Sequence, residues 1–115
     1  MPTPKIFTLF KNVNIPASGN AFGPSSGLDL SGYTNFRLVI RFDGPAGTRF
    51  TINELYGPAG AIDQLNSDID TGTIDSLGSL NYRKKFDIFG PKNFSIRVFN
   101  NGAGPIKVNG SLYAV

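Results

Sequence analysis

Alternation of apolar and polar residues is the dominant pattern of this chain. From Phe36 to Phe42 every second residue is apolar and lies on one face, and Arg37, Val39 and Arg41 occupy the other face. The stretch from Asn93 to Phe99 alternates in the same way. A period of two places successive side chains on opposite faces, which is typical of β-strands with one face in a core.

Turn-forming residues follow both alternating stretches. Residues 43–47, Asp-Gly-Pro-Ala-Gly, separate the first stretch from Arg49–Leu55, and the Asn- and Gly-rich residues 100–105 separate the second from Ile106–Tyr113. Glycine, proline, asparagine and aspartate favour tight reversals between strands. We therefore predict two β-hairpins, one near the middle of the chain and one at its end.

The remaining segments predict further short strands and almost no helix. Two clear candidates are Lys5–Phe10 and Tyr82–Phe89, and Gly60–Leu65 carries a weak helical pattern. Weaker strand candidates are Asn20–Phe22, Leu28–Leu30 and Thr73–Leu77. With Gly or Pro at frequent intervals, the sequence predicts one all-β domain spanning residues 1–115. Its expected architecture is an antiparallel β-sandwich, jelly-roll-like, with about seven or eight short strands.

An immunoglobulin-like topology is the less favoured sandwich, because the chain contains no cysteine and no tryptophan. Immunoglobulin domains carry a Cys-Trp-Cys pattern in their core. The charged fraction of 17% is low, which suits a surface that packs against neighbours. The net charge is +3, and the basic residues are spread over several segments. We interpret them as solvated strand faces and do not expect nucleic acid as a partner.

The absence of histidine and cysteine removes most catalytic mechanisms. Ser-His-Asp and Cys-His arrangements are excluded, as are zinc sites built on these ligands. Paired carboxylates could hydrolyse glycosides, but such enzymes need a longer groove than a small sandwich offers. We therefore expect no enzymatic activity and no cofactor.

An acidic segment offers one candidate metal site. Asp68 and Asp70 stand at alternate positions after Asn66, and their oxygens together with backbone carbonyls could bind calcium. The closing bidentate glutamate of a calcium loop is missing. A plain solvated loop over Asp63–Asp70 is the alternative interpretation.

Tyrosines offer a candidate ligand platform. Tyr33, Tyr56 and Tyr82 combine an apolar ring face with a hydrogen-bonding tip, which suits a sugar ring. The absence of tryptophan weakens this interpretation. Half-buried structural tyrosines at strand ends are the alternative.

The N-terminal segment is apolar on both sides, at Ile6, Phe7, Leu9 and Phe10. A strand with one solvent-exposed face should alternate apolar with polar residues. Because this segment is apolar on both faces, a partner could cover the second face. Residues 1–13 could then form an N-terminal arm or edge strand that pairs with a neighbouring subunit. A central strand of the same domain is the alternative.

Targeting signals are not seen in the sequence. The first residues lack the apolar core of a signal peptide, and no stretch approaches the roughly 20 apolar residues of a membrane span. We expect synthesis in the cytoplasm, with incorporation into a virion, spore or cell-surface assembly left open.

Two stretches, residues 28–40 and 89–98, resemble small single-domain jelly-roll subunits of bacterial and phage surface assemblies in their order of apolar, polar and turn positions. This resemblance implies a structural role, no cofactor and self-association through sheet edges. The first functional hypothesis is therefore a non-catalytic structural subunit that forms an oligomer, a fibre or a coat or capsid-type assembly. The second is a small carbohydrate-binding module.

Overall fold

The computed structural model describes residues 3–56, 65–87 and 93–115, with the backbone alone at residues 24–26, 56 and 65–67. These ranges form two four-stranded antiparallel sheets. Sheet A has the order β1-β8-β3-β6 and sheet B the order β2-β7-β4-β5. The strands are β1 (Lys5–Ile15), β2 (Asn20–Leu28), β3 (Asn35–Asp43), β4 (Arg49–Tyr56), β5 (Leu65–Thr73), β6 (Ser79–Asp87), β7 (Phe94–Asn100) and β8 (Ile106–Ala114). The predicted all-β jelly-roll sandwich is confirmed.

The core lies between the sheets and is built from the apolar positions of the alternating strands. Every second residue of β3 from Phe36 to Phe42 is fully buried, as are Ile96 and Val98 of β7. The rings of Phe42 and Phe50 stack across the two sheets with their centroids 3.9 Å apart. Alternation thus directs one face of each central strand into a shared interior.

Both predicted hairpins are wrong. β3 pairs with β6 and β8, whereas β4 pairs with β5 and β7, so the chain between β3 and β4 crosses from one sheet to the other. β7 and β8 likewise belong to different sheets. The apolar face of a strand is buried when the strand stacks against the opposite sheet, whichever strand lies beside it in its own sheet. The pattern of one strand therefore does not select its neighbour.

The crossing between β3 and β4 is held by the crossing between β5 and β6. The Gly44 amide donates to the Gly78 carbonyl at 2.9 Å, and the Ile74 amide donates to the Thr48 carbonyl at 2.8 Å. These bonds satisfy backbone groups that a hairpin ladder would otherwise pair. Two adjacent connections between the sheets close this end of the sandwich.

The weak strand predictions are partly wrong. β2 includes Asn20–Phe22 but ends at Leu28, and residues 74–78 form the turn between β5 and β6. In that turn the Asp75 carboxylate accepts from the Leu77 amide at 2.9 Å. Phe89, the predicted end of the Tyr82–Phe89 strand, lies outside the described residues.

The segment Asp63–Asp70, interpreted from the sequence as a calcium-binding or plain solvated loop, belongs to strand β5 from Leu65 onward. β5 pairs with β4 from Leu65 to Thr73 around one bulge, because an edge strand needs only one ladder and tolerates polar side chains. Leu65, the last residue of the helix candidate Gly60–Leu65, begins β5, and residues 60–64 lie outside the described residues. Within the described ranges no helix is long and apolar enough to cross a membrane.

The N-terminal segment is the edge strand of sheet A and pairs with β8 from Lys5 to Ile15. Two shifts of register interrupt this pairing, between Thr8 and Phe10 and between Phe10 and Val13. A β-bulge adds a residue and changes which face the following side chains occupy. It explains why two consecutive residues, Leu9 and Phe10, are both buried in the core.

The assembly candidates therefore divide into two groups. Leu9 and Phe10 belong to the core of their own domain, and Phe7 packs partly against it. The inference that both apolar faces of this segment need a covering partner is wrong for these residues, because the bulges turn them inward. Ile6 is 66% exposed and stays available.

Candidate functional site

The tyrosine candidates are not brought together. The Tyr33 hydroxyl donates to the Thr3 carbonyl at 3.0 Å, and its ring packs against the core. The Tyr82 hydroxyl donates to the Asp70 carboxylate at 2.7 Å, on the other edge of sheet A. The side chain of Tyr56 lies outside the described residues. Tyr33 and Tyr82 are held in structural contacts, which agrees with the alternative interpretation of half-buried tyrosines.

The calcium candidates Asp68 and Asp70 are also separated. A bulge leaves Ile69 without a partner on β4, because Asn53 pairs with Asp68 and Ile52 pairs with Asp70. Asp68 accepts from the Asn53 amide nitrogen, whereas Asp70 accepts from Tyr82 and from the Lys84 ammonium at 3.4 Å. The described residues contain no group of three or more His, Cys, Asp or Glu side chains that could hold a metal ion.

The contact between Asp70 and Tyr82 joins the two sheets at one edge of the sandwich. The hydrogen bond from Tyr82 lowers the pKa of the Asp70 carboxyl, and the nearby Lys84 lowers it further. Burial raises the pKa of the Tyr82 hydroxyl, and the Asp70 charge raises it further. The neutral phenol and the carboxylate are therefore the favoured forms of this pair, which makes the contact structural.

The outer face of sheet B carries a different group of residues. β4 and β7 bury Ile52, Ile96 and Val98 inward, so their alternate positions point away from the core. The register places Asn53 directly opposite Arg97, Arg97 opposite Phe22, and Asn53 opposite Asp68. One transverse row, which we name the sheet B row, therefore crosses all four strands as Asp68, Asn53, Arg97 and Phe22.

Two polar atoms in the sheet B row lack a partner in spite of their burial. Asn53 is 2% exposed, and its amide nitrogen donates to Asp68, but its Oδ1 accepts no hydrogen bond. The Nε of Arg97 is likewise buried and unpaired, while the guanidinium lies 4.6 Å from the centre of the Phe99 ring. An unpaired buried polar atom costs about 1–3 kcal/mol. Two such unpaired atoms at adjacent positions are unusual in a folded protein.

Aromatic and hydroxyl groups lie near the sheet B row on the same face. Phe22 is 44% exposed at the end of the row. Beside the row, a depression of about 430 Å³ is lined by Thr51, Thr71, Thr73 and Asn101 among others, and the Asn101 amide donates to the Thr51 hydroxyl at 2.8 Å. The outer face of sheet B thus combines an exposed ring with a depression lined by hydroxyl and amide groups. These accessible groups can hold a ligand rich in hydroxyl groups, whereas Asn53 Oδ1 and Arg97 Nε are buried.

Sequence reasoning did not single out Asn53 and Arg97. Neither belongs to a motif, and they are 44 positions apart, so only the pairing of β4 with β7 brings them together. One signal was present in the sequence. The neighbouring Val98 and Phe99 make β7 apolar on both sides, and this strand is buried or half-buried on both faces.

No protein-family model matches this sequence, and no curated protein matches it. The fold, in contrast, is shared with solved structures. The structure of infectious bursal disease virus Gx strain matches with a TM-score of 0.68 and 7% identity over 98% of this chain and 32% of that one. The C-terminal CBM6 of the laminarinase LamC from Zobellia galactanivorans matches with 0.59 and 10% identity over 96% of this chain and 100% of the module.

A third similar structure is CBM29_1, a family 29 carbohydrate binding module from Piromyces equi. It matches with a TM-score of 0.55 and 10% identity over 98% of this chain and 91% of the module. This chain spans only 10% of a matching chain of tripeptidyl peptidase 2 and 32% of the virus chain, but nearly all of the two carbohydrate-binding modules. At these identities the likeness shows a jelly-roll sandwich that occurs both in a virus particle and in carbohydrate-binding modules.

Proposed function

We propose that this protein is a non-catalytic binding module that holds a carbohydrate on the outer face of sheet B. The observation that carries the proposal is the exposed ring of Phe22 on the same outer face as a depression lined by Thr51, Thr71, Thr73 and Asn101. A sugar hydroxyl is both donor and acceptor, so the hydroxyls of a sugar can bond to the threonine hydroxyls and the asparagine amide that line this depression.

The position of Phe22 supports the same ligand class. The exposed ring of Phe22 lies next to Arg97 in the sheet B row and offers an apolar surface for the face of a sugar ring. Asp68 is the single carboxylate of the row, and it is already bound by Asn53. Without a second carboxylate in the row, the site suits binding and not glycoside hydrolysis.

Phe22→Ala tests the carbohydrate proposal. A glycan array identifies the ligand, and isothermal titration calorimetry then compares the variants. We expect Phe22→Ala to weaken binding about tenfold, because an aromatic contact worth roughly 1.5 kcal/mol is lost. Leu77→Ala is the matched control, since Leu77 is an 88% exposed apolar residue in the turn before β6. An array without any bound glycan, or equal affinities of Phe22→Ala and wild type, contradicts the proposal.

Self-association is a second candidate function, which the exposure of Ile6 on the edge strand β1 favours. Residues 5–8 and 13–15 pair regularly with β8, and the bulges between them interrupt the edge. Bulges hinder the addition of a further strand, so we place this candidate second.

Light scattering coupled to size exclusion separates the two functions. The binding module is expected as a 12.4 kDa monomer at all concentrations. A larger species that dissociates in Ile6→Lys, which puts a charge on the edge, would establish the structural subunit instead. Thr8→Lys, two positions further along the same paired segment, puts a second charge on this edge and should also dissociate the larger species.

A further inference from the structure

The outer face of sheet A gathers basic residues from two distant parts of the chain. β3 and β6 pair without interruption from Asn35 and Asp87 to Asp43 and Ser79. The outward positions of this pairing put Arg37 directly opposite Lys85 and Val39 opposite Arg83. Residues that are spread over the sequence therefore form one group, which we name the basic group: Arg37, Arg83 and Lys85.

The basic group surrounds a shallow depression. A volume of about 450 Å³ is lined by the basic group together with Val39 and Lys84. The three side chains of the basic group are exposed, and the same face also exposes Tyr113, which lies opposite Arg37 on β8. The surface thus combines three cations with one aromatic ring and one apolar side chain.

No carboxylate of the described residues forms an ion pair with the basic group. Arg41 is paired with Asp43 at 3.1 Å, and Lys84 with Asp70 at 3.4 Å. Asp43 and Asp87 lie at the two ends of the β3–β6 pairing. Like charges directly opposite each other in a sheet are destabilising, so the Arg37–Lys85 pair carries a cost that an anion bound between them would remove.

The charge of this face decides between the candidate occupants. A second copy of the chain, related by a two-fold axis, would place basic groups against each other. Proteins that bind single-stranded nucleic acid stack successive bases on several aromatic side chains, whereas the described part of this face exposes one ring, Tyr113. Guanidinium groups bind carboxylate and sulfate in a bidentate manner, and a single ring suffices to contact one sugar.

We propose that the outer face of sheet A, between β3 and β6, binds an acidic polysaccharide through Arg37, Arg83 and Lys85. The acidic groups of the polymer contact the basic group, and a sugar ring contacts Tyr113. This face lies on the opposite side of the sandwich from the sheet B row. The proposal is therefore independent of the neutral carbohydrate site on sheet B.

Affinity electrophoresis in alginate, a polymer of uronic acids, tests this proposal with the full chain. We expect Arg83→Gln/Lys85→Gln to weaken alginate binding about tenfold through the loss of two charge-assisted contacts. Lys5→Gln/Lys11→Gln is the matched control, because it removes the same charge from the edge strand β1 and should retain wild-type affinity. Circular dichroism verifies that both variants keep the fold.

Three results would overturn the proposal. The first is no retardation of the wild type in alginate at low salt. The second is an equal loss in both double variants, which would indicate attraction to net charge alone. The third is tighter binding of single-stranded oligo(dT) than of alginate, with a loss in Arg83→Gln/Lys85→Gln. Phe22→Ala should leave alginate binding unchanged, so failure of this site and failure of the sheet B site are distinguishable.

Discussion

β3 is an inner strand of sheet A and β7 an inner strand of sheet B, and the two strands have nearly the same sequence pattern. β3 begins with Asn35 and Phe36, and β7 begins with Phe94 directly after Asn93. Both strands then alternate apolar with polar residues. On β3 the outward residues from Arg37 to Arg41 are exposed, whereas on β7 Ser95 is fully buried and Arg97 is half-buried. Alternation therefore predicts which residues enter the core, but it does not predict whether the opposite face of the strand is exposed to solvent.

This difference gives the two faces of the sandwich different chemistry. The open face of sheet A holds its cations in water, where they can attract a charged polymer over a distance of about 8–10 Å. The centre of the outer face of sheet B removes Asn53 and the Nε of Arg97 from water, so each missing hydrogen bond there becomes costly, whereas Phe22 and the threonine-lined depression stay accessible. One face is suited to charge recognition and the other to directional hydrogen bonds.

The largest expected effect comes from placing a lysine at an outward position of β7 and, for comparison, at an outward position of β3. Ser95→Lys should destabilise the fold by about 3 kcal/mol or more, because it buries a charge and removes the 3.0 Å bond from Ser95 to the Gly23 carbonyl. Val39→Lys, on the open face, should change stability by less than about 0.5 kcal/mol. Urea unfolding measures both, and equal costs would mean that the two outer faces are equally open.

The end of β7 allows a second test of burial. The buried Asn100 amide nitrogen donates to the carbonyls of Ile15, Pro16 and Gly104 at 2.8–3.1 Å. Asn100→Ala removes all three bonds, although the Pro16 carbonyl still accepts from the Gly19 amide, and it should cost about 2–3 kcal/mol in unfolding free energy. The neighbouring Asn101 is exposed, and the hydrogen bond described for its side chain is the one to the Thr51 hydroxyl. Asn101→Ala should therefore lower the unfolding free energy by less than about 1 kcal/mol. A smaller loss in Asn100→Ala than in Asn101→Ala would contradict the assigned burial.

The edge that joins the two sheets gives the smallest expected effect, and it depends on pH. Tyr82→Phe should lose about 1 kcal/mol at neutral pH through the bond to Asp70. Because the pKa of Asp70 is lowered in the fold, its contribution is present above the ordinary carboxyl pKa of about 4 and is lost as the pH falls through the lowered value. The difference between wild type and variant should therefore shrink in acid.

Tyr33→Phe is the matched control for this pH dependence. Its hydroxyl donates to the backbone carbonyl of Thr3, which does not titrate. A similar loss of about 1 kcal/mol is expected at every pH for Tyr33→Phe. If the loss in Tyr82→Phe were equally constant between pH 2 and pH 7, the carboxylate would not be the partner that stabilises Tyr82.

The described strands show how far pattern reasoning reaches. Every second residue from Phe36 to Phe42 was predicted on one face and is buried in the core. The polar strand β5 was missed, because its sequence satisfies no apolar period and its order comes from the ladder with β4. The candidate ligand residues Tyr33 and Tyr82 are instead structural, since a tyrosine at a strand end has the same sequence context in either role.

The sequence by itself determined the class of the fold, because period two, frequent turn residues and the absence of long helical patterns are local properties. Only the tertiary structure decided that β3 and β4 face each other across the core instead of pairing edge to edge. It also decided that Asn53 meets Arg97 and that Arg37 meets Lys85. These contacts join residues more than 40 positions apart, and no local preference specifies which strands become neighbours.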